Sequence, residues 1–116
     1  MLIRNITRNY ILANQCSFAR TFFARFRGLQ LKKCLPRGHG LLITPCNSIH
    51  MLFMRFPIDA VFINSDNKVV YIEEGIRPWR VSKVVRQAKS VLELPAGTIS
   101  ATGTQVGDQL QLDGII

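Results

Sequence analysis

Residues 46–63, CNSIHMLFMRFPIDAVFI, form an apolar, strand-like run that also holds a cysteine, a histidine, an arginine and the first acidic residue of the chain. Pro57 divides it. Proline has no amide hydrogen to give a sheet ladder, so the run reads as two strands, 48–54 and 59–64. Asn64-Ser65-Asp66-Asn67 supplies turn residues, and Lys68–Glu74 can pair back on 59–64 as a hairpin. A chain with this segment at its centre builds a sheet. The polar groups inside the run must then find partners or face a site.

The rest of the chain fits the same class. Residues 2–12 read as a short first strand, Leu41–Thr44 as a strand ending at Pro45, Val91–Leu94 as a short buried strand, and Gln109–Leu112 as the last. One helix is expected at about 18–29. Phe18, Phe22, Phe26 and Leu29 recur at helical spacing, Ser17 or Thr21 can cap it, and Gly28 lies near its end. Residues 30–40 read as a basic loop, 75–90 as irregular, and 98–103 as a short helical turn. The expected fold is α+β and mostly β: one domain, 1–116, built as a small partly closed β-barrel, since closure removes exposed strand edges. Phe22, Phe26, Phe53, Val61, Phe62 and Leu94 are the expected core. A hydrophobic fraction of 47% is enough to build it without disulfides or metals.

Charge is unevenly spread. Residues 1–58 carry nine Arg and Lys and no Asp or Glu, whereas residues 59–116 carry six basic and seven acidic residues. The first half would therefore set up a positive field if it were contiguous in space. Net charge of +8 predicts weak, non-specific attraction to nucleic acid through Arg20–Arg37, without a base-reading motif. Three cysteines, at 16, 34 and 46, are odd in number and form no C-x-x-C pair, so free thiols are expected rather than a disulfide framework or a zinc site. Arg4, Asn5, Arg8, Asn9 and Asn14 interrupt any leader-like apolar stretch, and no window approaches the ~18 apolar residues needed to span a bilayer. The expected location is cytoplasmic.

Three motifs in order resemble a known family. Residues 49–63, IHMLFMRFPIDAVFI, are similar to the signature of the domain of unknown function 192 family; Val91-Leu92-Glu93-Leu94-Pro95-Ala96-Gly97 resembles its second element, and Val106-Gly107-Asp108-Gln109-Leu110 its third. Gly28-Leu29 before the basic loop resembles the N-terminal part, with Gln30 where the family usually has methionine. The resemblance covers about residues 16–112. It implies a compact, β-rich, partly closed barrel and no assigned activity or cofactor. Some similar proteins carry secretion signals or anchors and are linked to pilus or secretion machinery.

The residues themselves offer several chemistries. Cys46, His50 and Asp59 are the types of a nucleophile–base–orienter set, for a hydrolase or transferase. On a regular strand, however, four residues span about 13 Å, which separates Cys46 from His50. The same three match no standard zinc spacing. Glu93 alternates away from Leu92 and Leu94 and faces either a cleft or solvent. Asp108 reads as a turn residue. Trp79, between Arg77, Pro78 and Arg80, is either a ring-stacking contact or a rim aromatic. The favoured expectation is a non-enzymatic binding or accessory domain. Its site would be His50, Arg55, Asp59 and Trp79, with Arg55 and Asp59 brought together at the Pro57 break. The expected partner is an anionic small ligand or a protein segment, with no metal and no cofactor.

Overall fold

A computed structural model of the chain describes residues 1–21, 24, 25, 29 and 32–114. The described residues form eight strands: β1 (Leu2–Asn5), β2 (Tyr10–Ala13), β3 (Gln15–Ala19), β4 (His39–Ile43), β5 (Ile58–Ile63), β6 (Val69–Ile76), β7 (Ser90–Pro95) and β8 (Leu110–Asp113). A short helix, α1 (Thr98–Thr102), lies between the last two strands. The strands form a three-stranded antiparallel sheet, β2-β1-β8, and a five-stranded sheet, β3-β4-β7-β5-β6, in which only β3 and β4 run parallel.

The hairpin read from residues 59–74 is the β5–β6 pair. The strand read at 91–94 is β7, which pairs with both β4 and β5. Every residue of β5 is buried. Its two faces feed two cores: Ile58, Ala60 and Phe62 on one side, Val61 and Ile63 on the other. A strand buried on both faces has no polar alternation, which is why this stretch is continuously apolar. The second core is covered by Ile3 and Leu12 of the small sheet, Leu110 of β8, and Ile99 of α1.

The sheets are not closed into a barrel. The five-stranded sheet ends on β3 and β6 and the three-stranded one on β2 and β8, with a single bridge, Lys68–Gln109, linking them. Burial of both faces comes from layering rather than from curling one sheet, and the hydrophobic pattern of a strand is the same in either case.

Four further expectations need correction. Residues 2–12, read as one strand, hold β1 and the start of β2, an antiparallel pair joined by a turn at 6–9. Phe18 and Ala19 belong to β3, not to a helix; among the described residues of 18–29, Ala24 and Arg25 are helical, with Thr21 Oγ1 accepting the Ala24 amide at 3.0 Å. Phe22, Phe26, Arg27 and Gly28 lie outside the described residues. Residues 48–54 are a loop carrying one isolated bridge, His50–Val81. Phe53, expected in the core, is 53% exposed, whereas Val61, Phe62 and Leu94 are fully buried.

Candidate binding surface

Two loops, 44–57 and 77–89, run against each other over the first core. Their backbones bond from Cys46 to Met51 on one loop and from Trp79 to Lys89 on the other. Cys46 donates to Lys89 O at 2.8 Å, Val85 to Asn47 O at 2.8 Å, Ser82 to Ile49 O at 2.9 Å, Met51 to Arg80 O at 2.7 Å and Trp79 to Met51 O at 2.7 Å. The Ile49 amide donates to Ser82 Oγ at 2.9 Å. Ile49, Met51, Met54 and Val85 point into the core and anchor the pair. Amides that a strand would spend on a sheet neighbour are spent here on the facing loop, so the apolar 48–54 segment need not be a strand.

The far end of this loop pair is unlike the rest of the surface. Phe53 and Trp79 meet edge to face, with ring centroids 5.0 Å apart and planes at 61°. Trp79 is 59% exposed. Both backbones are left-handed, with φ of 62° at Phe53 and 69° at Trp79. That conformation crowds the Cβ of any L-residue and is rare for bulky side chains. Leu52 and Val81 are exposed beside them in sequence. His50 is half-buried at the base of the same turn, where its Nδ1 accepts the Leu52 amide at 3.3 Å. Arg55, Arg77 and Arg80 are all exposed.

Of the four residues expected to form a site, His50 and Trp79 lie on the two facing loops, His50 bridged to Val81 and the Trp79 amide bonded to Met51 O. Arg55 follows Phe53 on the same loop. Asp59 is elsewhere: it is fully buried on the second face of β5, with both oxygens occupied. Oδ1 accepts the Gly75 amide at 2.9 Å, and Oδ2 accepts the amides of Gly97 at 3.1 Å and Ile99 at 2.9 Å. The β5–β6 register slips between Ile58 and Ala60, so β6 carries an extra residue opposite Asp59. Gly75, left-handed at φ 61°, turns its amide to the carboxylate there. Asp59 therefore ties a bulge to the start of α1. The Arg55–Asp59 pair does not form; among the described residues the ion pair is Arg8–Asp108, at 3.1 Å. Asp108 is more than a turn residue. Burial alone would raise its carboxyl, but Asn5, Arg8 and the Gln105 amide all donate to it and hold it below the usual carboxylate range.

The nucleophile set does not assemble either. Cys46 Sγ donates to Ser48 O at 2.9 Å, and Asp59 is committed to backbone amides. Burial pushes the Cys46 thiol up, against a hydrogen bond at Ser48 that lowers it; nearby Glu93 raises it further and Arg25 lowers it. A thiol held protonated is a poor nucleophile.

Glu93 is the residue whose setting alternation only half revealed. It faces away from Leu92 and Leu94, as its parity requires, but the face it meets is the first core, between Leu41 on β4 and Ala60 on β5. It is 4% exposed and its Oε1 has no hydrogen-bond partner. Burial pushes its carboxyl up to about 8. At neutral pH the group is therefore mostly an uncharged acid.

Comparison with known proteins bears on the whole of this fold. UPF0127 protein PF1050 of Pyrococcus furiosus is 36% identical, over 97% of this chain and 98% of its own length. The crystal structure of a protein of unknown function from Novosphingobium aromaticivorans DSM 12444 superposes with a TM-score of 0.83 at 20% identity, covering 96% of this chain and 82% of that one; this likeness concerns the fold. A Sinorhizobium meliloti 1021 protein, described as a candidate transcription regulator, superposes with a TM-score of 0.81 at 25% identity, covering 95% of this chain and 89% of that one. The model of DUF192, described as uncharacterized ACR, matches residues 4–112, from the first hairpin to the last strand. The chain belongs to the domain of unknown function 192 family, whose Pyrococcus and Thermococcus relatives carry the name UPF0127.

Proposed function

We propose that this protein is a non-enzymatic binding domain and that its binding surface is the end of the loop pair, with Trp79 and His50 at its centre, Phe53 completing it, and Arg55, Arg77 and Arg80 supplying charge. One observation carries the reading: two large aromatics hold left-handed backbones and stay more than half exposed. Such strain costs about 1–3 kcal/mol per residue and is not repaid here by burial. It is repaid if the rings are needed outside. The cations flanking them select an anionic partner. An acidic protein segment would meet the same surface, which is the form an accessory role beside secretion or pilus machinery would take.

The test is a panel of anionic metabolites screened by thermal shift, because a ligand at ~100 times its dissociation constant adds about 2.7 kcal/mol of stability. The expected result is a hit that raises the melting temperature and perturbs Trp79 fluorescence, and that is lost in Trp79→Gly. A hit unaffected by that change sinks the proposed site.

A second reading, weak nucleic-acid association, is favoured by the nine cations and no acids in residues 1–58, and by the description of the Sinorhizobium relative. It predicts binding to any duplex that disappears at ~0.3 M salt. Retention at that salt, or preference for one sequence, refutes the non-specific form.

A further inference from the structure

Resting on that reading, we infer that the anionic partner of the loop end is a lipid surface: this protein docks on anionic bilayers through Leu52, Phe53, Trp79 and Val81. The four side chains are 39%, 53%, 59% and 67% exposed, and they come from two loops whose backbones are bonded together at Met51–Trp79 and Met51–Arg80. They make a fixed apolar tip rather than a scatter of single exposed residues.

Charge around the tip has one sign on most sides. Arg55, Arg77 and Arg80 are exposed beside the tip, and residues 44–58 and 75–92 hold no acidic residue; Lys83, Arg86 and Lys89 follow along the second loop toward its other end, where Lys89 O accepts the Cys46 amide. The acids that approach are Glu73 and Glu74, which share a shallow cleft with Arg77, Arg80 and Val81. Glu73 is engaged by the Tyr71 hydroxyl at 3.4 Å, and Lys83 Nζ lies 4.3 Å from the Tyr71 ring centroid. The sum is an apolar tip with three exposed arginines beside it. Tryptophan favours the headgroup boundary, aliphatic side chains favour the acyl region, and arginines favour anionic headgroups.

Nucleic acid fits this tip less well. Base stacking needs an open ring face, and the edge-to-face contact of Phe53 with Trp79 covers part of the ring surface. Leu52 and Val81 have no counterpart on a base. No helix among the described residues is long and apolar enough to cross a membrane.

Trp79 is the only tryptophan in the chain and reports directly on the tip. The experiment follows its emission, together with sedimentation, as the full chain is mixed with vesicles. One set is phosphatidylcholine alone; the other contains about 30 mol % phosphatidylglycerol, at about 0.1 M salt. The expected result is a shift of emission to shorter wavelength and co-sedimentation with the anionic vesicles only. Phe53→Gly should weaken partitioning about tenfold or more. Arg77→Gln with Arg80→Gln should weaken it roughly 25-fold, about fivefold per arginine. Melting temperatures measured in parallel separate lost binding from lost folding. Equal partitioning onto phosphatidylcholine alone, no emission shift, or tighter retention on a DNA duplex than on vesicles overturns the inference. If a soluble anion from the metabolite panel perturbs Trp79 while anionic vesicles do not, the lipid assignment falls and the binding reading stands. If neither does, the lipid assignment and the small-anion form of the binding reading both fall.

Discussion

Phe53 and Trp79 touch edge to face at 5.0 Å while both sit in the left-handed region, at the joined ends of two loops. Glycine adopts that region without steric penalty. Phe53→Gly should therefore change stability by no more than about 1 kcal/mol: relief of strain offsets the lost ring contact of ~0.5–1.5 kcal/mol and the extra freedom of the unfolded chain. Phe62→Ala, in the buried β5, should cost about 3–5 kcal/mol. Urea denaturation of the two variants makes the comparison. A large loss for Phe53→Gly would mean that the aromatic pair holds the loops together.

Asp59 is predicted to be a structural carboxylate. Asp59→Ala leaves the amides of Gly75, Gly97 and Ile99 without their acceptor, at a cost of at least about 3 kcal/mol. Asp59→Asn should also destabilise, because an NH2 group cannot accept from an amide. In both, the protein that remains folded should keep its Trp79 response to ligand. Unchanged stability with lost binding would return Asp59 to the site.

Glu93 should make stability fall with rising pH. Its carboxyl moves from an ordinary 4.5 to about 8 on folding, through burial. Between those values the native state holds a proton that the unfolded chain releases. The contribution is complete below pH ~4.5, declines by roughly 1.4 kcal/mol per unit, and is exhausted above pH ~8. Glu93→Gln should remove this slope and leave the variant more stable than the parent at pH 9. Chemical denaturation across pH decides it; parallel curves for the two proteins would contradict the assignment.

Cys46 should react slowly with iodoacetamide at neutral pH, well behind the exposed Cys34. Burial holds its thiol above the ordinary range, and the thiolate is the reacting species. Single-cysteine variants measured across pH supply the test, and a Cys46 rate that plateaus below pH ~8 would revive the nucleophile reading.

Much of the sheet was legible in the sequence because its causes are local. Pro57, the turn residues 64–67 and the apolar runs on either side determine the β5–β6 hairpin, and Pro95-Ala96-Gly97 announces the turn into α1. The family motifs were legible for the same reason. Phe18 misled because one aromatic at i, i+4 spacing fits a helix stripe and equally a half-buried position on β3, where it lies. The apolar 48–54 segment misled because the Ile49 and Met51 amides bond to a facing loop that is distant in sequence, and those of Leu52 and Met54 turn back on the segment itself.

What only the tertiary structure decided is which groups meet. A buried run such as 58–63 needs both faces covered, but its pattern is the same whether a second sheet or a closed barrel covers them. Parity sends Glu93 away from Leu92 and Leu94, but only the packed structure shows that its Oε1 is buried with no hydrogen bond among the described residues. Asp59 was expected beside Arg55, four residues away. It bonds instead to amides at 75, 97 and 99, which a bulge and a helix start bring to it. Phe53 reaches Trp79 across a gap of twenty-six residues. Sequence fixes local backbone preference and the face a side chain takes, because those depend on near neighbours. Partners arise from chain crossings that no local preference encodes.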